Sequence, residues 1–293
     1  MMNAQLSAQF EQQIALKKQS YTAAQRALLT KVLDEKYKDL SVSEKLKSNL
    51  NSLKEANTFT ITTGHQLCFM TGPLYFIYKI LHVIKLSEDL NNTFPNEHFV
   101  PVYWMASEDH DFEEIRSFLL FGQKWTWESS QKGAVGQFDT NDLQPLLQAL
   151  AEKFQNQAES EIHRLIEKFK TPNYGSGFFE FVHELFSIYG LVVIDADNPQ
   201  LKESAWPIWE KDLYTNDVHN AVIDQTQALK DQGRNTPIES KESNLFILDI
   251  GKRERIEKTG PIQIAKEQRS QLSPNVVLRP IYQEWILPNL AYV

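Results

Sequence analysis

One cysteine, Cys68, stands in 293 residues. It excludes an internal disulfide and any cysteine-based zinc site. So sparse a use of cysteine suits a reducing compartment, and the expected location is the cytoplasm. Long apolar runs are missing too. No stretch reaches the roughly 20 residues that span a bilayer, and the first residues lack the apolar core of a secretory signal, so no membrane partner is expected. Positive charge is in deficit: 30 Lys and Arg stand against 38 Asp and Glu, for a formal net charge of −8. That balance argues against nucleic-acid binding through a general basic surface. A Walker-type phosphate loop is also lacking, because Gly64 and Gly72 are too far apart and no Lys-Ser/Thr follows.

What is present is an ordinary globular balance, 42% apolar and 23% charged, with enough chain for one large domain or two. Thr58 to Thr63 (TFTITT) is a β-branched run that reads as a buried parallel strand. It ends in the turn Gly64-His65-Gln66. A buried helix over 73–88 follows, with Gly72 at the cap and Pro73 at its first position. Phe99 to Ala106 is a second apolar strand, ending in Ser107-Glu108-Asp109-His110-Asp111. Leu191 to Ile194 is a third, ending in Asp195-Ala196-Asp197. Three strands thus deliver polar residues at their carboxyl ends, where open α/β sheets bind ligands. The expected class is α/β: a doubly wound, mostly parallel, Rossmann-like sheet behind an N-terminal helical segment.

Residues 1–56 read as helices packed on the core. Leu28, Leu29, Val32 and Leu33 form one stripe and Leu46, Leu50 and Leu53 another, with a capping-box pattern at Ser41-Val42-Ser43-Glu44. Residues 57–293 form the Rossmann-like core. Within it, 121–138 reads as irregular or hairpin, 143–170 as helical, 177–189 as a helix stopped by Gly190, 231–243 as a loop and 245–250 as a strand. A charged stretch covers 252–258, and 272–279 holds a turn signal and a short strand. The closing run from Ile286 to Val293 is apolar and uncapped, and reads as an element interrupted in mid-course.

TTGHQ, FMTGPLYFIYK, VPVYWMASEDHDFEEI and SPNVVLRP together resemble the bacillithiol biosynthesis cysteine-adding enzyme family, from about Asn57 to the last residue. The resemblance implies a nucleotidyltransferase-type Rossmann fold, as in class I aminoacyl-tRNA synthetases. It implies a ligase that adds cysteine to glucosaminyl-malate, giving bacillithiol. ATP or another nucleotide is the expected cofactor, with cysteine and glucosaminyl-malate as small-molecule partners and no metal. Family members are longer; they continue into a glycine-rich turn and a coiled coil tied to dimer formation and nucleotide binding. The C-terminal part of the family fold is therefore expected to be missing here, and a homodimer is expected of the full-length form.

Forming an amide from a free carboxylate requires activation, a held carboxylate and a base for the amine. His65, Asp109 and His110 are the catalytic candidates: His65 ends the first strand, and a carboxylate beside His110 orients a general base. Thr63, Gly64, Gln66, Gly72, Lys79, Ser107, Asp111, Asp195 and Arg279 are candidates for holding substrate or nucleotide. Backbone N–H groups around Gly64 and Gly72 would receive oxyanions near a helix N-terminus. Lys79 would neutralise phosphate or pair with Asp109. Arg279 suits bidentate capture of a malate carboxylate, against a structural ion pair with Glu284 or a rim acid. Asp111 with Glu114 equally fits a helix cap. No clear HIGH or KMSKS signature is present, so the likeness to synthetases is one of fold. Two readings compete with the ligase. One is a metal-dependent hydrolase built on His65, Asp109, His110 and Asp111; the other is an inactive fragment or binding module.

Overall fold

The computed structural model describes residues 4–154, 161–236, 238, 240–257 and 262–293. Parts of the expected 1–56 and 143–170 helical stretches, the 231–243 loop and the 252–258 charged run lie outside these residues. From the amino terminus come helices α1 (Ala4–Ser20), α2 (Ala23–Tyr37) and α3 (Glu44–Ser52), then strand β1 (Thr58–Gln66), helix α4 (Leu74–Thr93) and strand β2 (His98–Ala106). A short helix α5 (Phe112–Ile115) leads into β3 (Ser117–Leu120) and β4 (Gln123–Thr126). Helices α6 (Gln144–Lys153), α7 (Glu161–Glu167) and α8 (Tyr174–Phe186) precede strand β5 (Val192–Asp195). Helices α9 (Pro199–Ser204), α10 (Trp206–Thr215) and α11 (Asp217–Asp231) are followed by β6 (Leu245–Asp249) and β7 (Lys252–Arg255). Then come α12 (Ile262–Glu267), β8 (Leu272–Pro274), α13 (Arg279–Ile286) and β9 (Asn289–Tyr292).

The central sheet has the order β5-β2-β1-β9, and each neighbouring pair is parallel. The expected strands at 58–63, 99–106 and 191–194 are all in it. Successive strand residues face opposite sides, and two neighbours on β2 show what covers each side. Tyr103 packs edge-on against Phe76 of α4 and Phe178 of α8, with centroids 5.5 and 6.5 Å away. Trp104 packs against Tyr282 of α13 at 5.3 Å, and Tyr282 in turn against Trp209 of α10. Helices therefore cover both faces, which is the doubly wound arrangement. The N-terminal helices close one flank: the Tyr37 hydroxyl accepts from the Val193 N–H at 2.8 Å. No described helix is long and apolar enough to cross a membrane.

Several local expectations are corrected. The closing run, which carried no strand assignment from sequence, holds strand β9. Thr60 N–H donates to Pro288 O, the Asn289 Oδ1 accepts from the hydroxyls of Thr60 and Thr62, and Leu287 and Asn289 are buried. Pro73 is the cap of α4 and not its first residue, with ψ 142. Gly72, at φ +51, belongs to the preceding turn, which its N–H closes on Phe69 O at 2.9 Å. Ser43, not Ser41, caps α3, accepting from the Leu46 N–H at 3.1 Å. The hairpin begins before 121: β3 and β4 are antiparallel, joined by Phe121 and Gly122, both left-handed, as a two-residue turn of this twist requires. Strands β7-β6-β8 form a separate antiparallel sheet and do not extend the central one.

Candidate functional site

The carboxyl ends of β1 and β2 open into a cleft of about 610 Å³. Gly64, His65, Gln66, Lys79, Asp109, His110, Asp111 and Arg279 line it, so eight of the expected site residues share one cavity. They come from four places: the end of β1, the second turn of α4, the turn after β2 and the start of α13.

His65 is fixed on both ring nitrogens. Its Nδ1 is 2.7 Å from Gln66 O, which accepts only, so Nδ1 carries the proton. Nε2, 2.8 Å from the Tyr75 hydroxyl, is then the acceptor. Burial lowers the His65 pKa; the hydrogen bond to Gln66 opposes this, and Lys79 adds to the lowering. A neutral imidazole results, its one lone pair taken up by the Tyr75 hydroxyl. Lys79 reaches back along α4 and donates to Gly64 O at 2.7 Å, and partial burial lowers its pKa. It pairs with this carbonyl and not with Asp109.

The turn after β2 is a tight Asx turn. Asp109 Oδ1 accepts from the N–H groups of His110 and Asp111, at 2.8 and 3.3 Å. A loop on the far side clamps the turn: Val135 N–H donates to Asp109 O at 2.7 Å and Gly136 N–H to Ser107 O at 2.9 Å. His110 is exposed, with Nδ1 3.6 Å from Asp109 Oδ1, a charge-pair distance rather than a hydrogen bond. Asp111 caps α5, accepting from Glu114 N–H at 3.3 Å, so it takes the capping role while still lining the cleft. Glu114 in turn accepts from the Gln66 amide.

Arg279 lies between two acids of the rim, Nε 3.2 Å from Glu108 Oε1 and Nη2 3.7 Å from Asp109 Oδ2. Glu284 pairs with Lys17 instead. Glu108 is 1% exposed, and neither of its carboxylate oxygens is hydrogen-bonded. Burial raises its pKa, Arg279 counteracts, and Asp197 and Asp109 add to the rise. Sequence reasoning passed over Glu108 although it stands inside SEDHD; two acids in succession gave no sign which was buried. Tyr75, Gln283 and Tyr292 were missed as lining residues as well. Only the fold brings α13 and β9 to this rim.

Four candidates lie elsewhere. Thr63 is buried and donates to Val293 O at 2.7 Å, holding β9. Gly72 lines a different, apolar groove with Cys68, Phe69 and Phe118, and its N–H is spent on Phe69 O. Ser107 donates to Asp195, which joins β2 to β5 beneath the rim. Burial raises the Asp195 pKa, and the bond from Ser107 limits the rise. Among the described residues no group of three or more His, Cys, Asp or Glu side chains is arranged to hold a metal ion. The geometry that the hydrolase reading needed at His65, Asp109, His110 and Asp111 is not formed.

The family model described as bacillithiol biosynthesis BshC, N-terminal Rossmann-like domain, matches residues 1–293. A Cytophaga hutchinsonii protein named "Putative cysteine ligase BshC" is 40% identical over 298 residues, covering 95% of this chain and 55% of the relative. A protein of the same name from Flavobacterium johnsoniae is 37% identical, covering 97% of the chain and 57% of the relative. The chain thus spans a little over half the length of these curated relatives.

Proposed function

The chain belongs to the bacillithiol biosynthesis BshC, N-terminal Rossmann-like domain family, and from that premise we propose that its rim cleft is the substrate site of a carbon–nitrogen ligase. The reaction joins cysteine to glucosaminyl-malate in the cytoplasm. One observation supports this above the others. A guanidinium, an ammonium, two imidazoles and three carboxylates line one cavity at the carboxyl edge of a parallel sheet.

The roles follow from the geometry. Arg279, held from behind by buried Glu108, offers its remaining N–H groups to a malate carboxylate. His110, exposed beside Asp109, takes the proton of the attacking amine as the carbon–nitrogen bond forms. His65, neutral and held by Gln66 O and Tyr75, meets a substrate amine or hydroxyl through Nε2 only once the Tyr75 hydroxyl gives that nitrogen up. Activation of the cysteine carboxyl needs a nucleotide or phosphoryl donor, and this cleft is a poor cradle for a triphosphate. Lys79 is engaged by Gly64 O, Gly72 N–H is used, the free N–H groups of Arg279 suit a single carboxylate, and Asp109, Asp111 and Glu114 add negative charge to the lining.

Calorimetric titration of this chain with glucosaminyl-malate tests the reading. Binding is expected, and Arg279→Ala is expected to weaken it by about tenfold or more. In a full-length relative, the change equivalent to His110→Ala should lower the ligation rate by roughly two to four decades. Binding indifferent to Arg279 would return that residue to a purely structural ion pair.

A further inference from the structure

A second cleft opens at the opposite end of the sheet, with a cavity of about 650 Å³. Its walls are the end of α1, the first turns of α2 and the link from α3 into β1. Lys17, Lys18, Arg26 and Lys54 line it, and no acid does. In a chain of net charge −8, four cations around one cavity are a local reversal of sign.

Arg26 forms the floor. It is 9% exposed, and among the described residues no carboxylate lies within ion-pair distance. Its two terminal nitrogens donate to Leu53 O and Thr58 O, at 2.9 and 3.1 Å, and it sits 5.2 Å from the centre of the Tyr21 ring. Neutral carbonyls and a ring do not cancel a full charge, and Glu55, outside the lining, attracts Arg26 only from beyond ion-pair distance, so the buried guanidinium is incompletely compensated. The three lysines do have partners, but these lie outside the lining: Glu284 for Lys17, Glu97 for Lys18 and Asp34 for Lys54. The Lys54–Asp34 pair is about half exposed on both sides. Such a pair contributes about 0–1 kcal/mol, so an incoming anion can recruit Lys54 at little cost, while Lys18, itself 43% exposed, turns toward the cavity at the expense of its bond to the more buried Glu97. The first turns of α2, capped by Thr22, line the same space through Ala23 and Ala27, as does the carboxyl end of α1. Ala23, Ala27 and Ala56 keep the walls low.

We propose that this cleft is a binding site for a small phosphate-bearing anion, separate from the rim cleft. Arg26 supplies the fixed central charge, and Lys18 and Lys54 close over the outer oxygens. The site does not depend on the ligase reading, because none of its residues lines the rim cleft.

The test uses inorganic pyrophosphate as probe, followed by calorimetry on the whole chain. Saturable binding that weakens as salt is raised is expected. The Lys18→Ala/Lys54→Ala double variant should weaken it by about tenfold or more. Arg26→Gln is a poor probe, since Arg26 also holds two backbone carbonyls. Ala27→Glu, on an exposed helix position, keeps every cation and places a carboxylate in the cavity; it should abolish binding while leaving thermal stability close to the parent's. Arg279→Ala, in the other cleft, should leave pyrophosphate affinity unchanged. No binding by the parent, binding indifferent to both the double variant and Ala27→Glu, or loss of binding in Arg279→Ala would each overturn the proposal.

Discussion

Glu108 and Arg279 meet behind the rim with Oε1 and Nε 3.2 Å apart, and neither atom is hydrogen-bonded. The pair is a contact of charge alone. Desolvation of Glu108 outweighs the attraction, since its pKa stands above the ordinary 4.5 despite the guanidinium.

That imbalance sets a pH dependence. A carboxyl whose pKa is raised on folding binds its proton more tightly in the folded chain. Stability therefore falls as pH rises from 4.5 to the folded value, and is level above it. Glu108→Gln should flatten this part of a plot of Tm against pH. A slope equal to the parent's would assign the effect to Asp195, the other buried carboxyl of the rim, whose pKa is also raised.

His65 titrates in the other sense. Its pKa is lowered from 6.5, so acidification through 6.5 favours the unfolded chain. The Tyr75 hydroxyl, donating to Nε2, stabilises the neutral ring. Tyr75→Phe removes that donor, and the His65 pKa should move up toward 6.5, read from its imidazole proton resonances. A pKa that stays put or falls would mean that the bond seen here does not hold the tautomer.

Gly136 is where the clamping loop touches the turn after β2. A Cβ there would lie 2.7 Å from both Ser107 O and Ser107 Cβ. Gly136→Ala should cost about 1–3 kcal/mol in urea unfolding and displace Asp109, whose carbonyl is tied to the neighbouring Val135.

Asn289 accepts from two buried hydroxyls, Thr62 at 2.7 Å and Thr60 at 3.2 Å. Asn289→Ala orphans both, and a loss of about 2 kcal/mol is expected from chemical denaturation. The loss should be smaller in a Thr60→Val/Thr62→Val background. Equal losses in the two backgrounds would place the role of Asn289 in the backbone ladder.

The three inner strands were legible because a parallel strand buried on both faces is apolar throughout, and FVPVYWMA and LVVI leave little choice. Strand β9 was not, because a four-residue edge strand after a proline has no periodicity of its own; its partner β1 defines it. Helix α11 was missed for a related reason: Val218 is its one buried residue among those described, so no apolar stripe advertised it. Of the rim residues, those at strand ends could be placed from sequence, as with His65, Asp109 and His110. Gly72 misled because glycine before proline signals a helix start, while the same residue was needed one step earlier for a left-handed turn. Arg26 and the cationic cleft left no trace, since their cations are scattered from 17 to 54 and only helix packing gathers them.

The pairing of Thr60 with Asn289 spans 229 residues, and that separation orders events in time. A ribosome has delivered β1, β2 and β5 long before β9 exists, so the nascent sheet must wait with the β1 edge unsatisfied. Loop closure over such a distance is slow, and an open strand edge invites wrong partners. The rim cleft matures on the same schedule. Arg279, Gln283 and Tyr292 follow all three inner strands in the sequence, so a growing chain lacks these parts of the cleft lining until they too have been made.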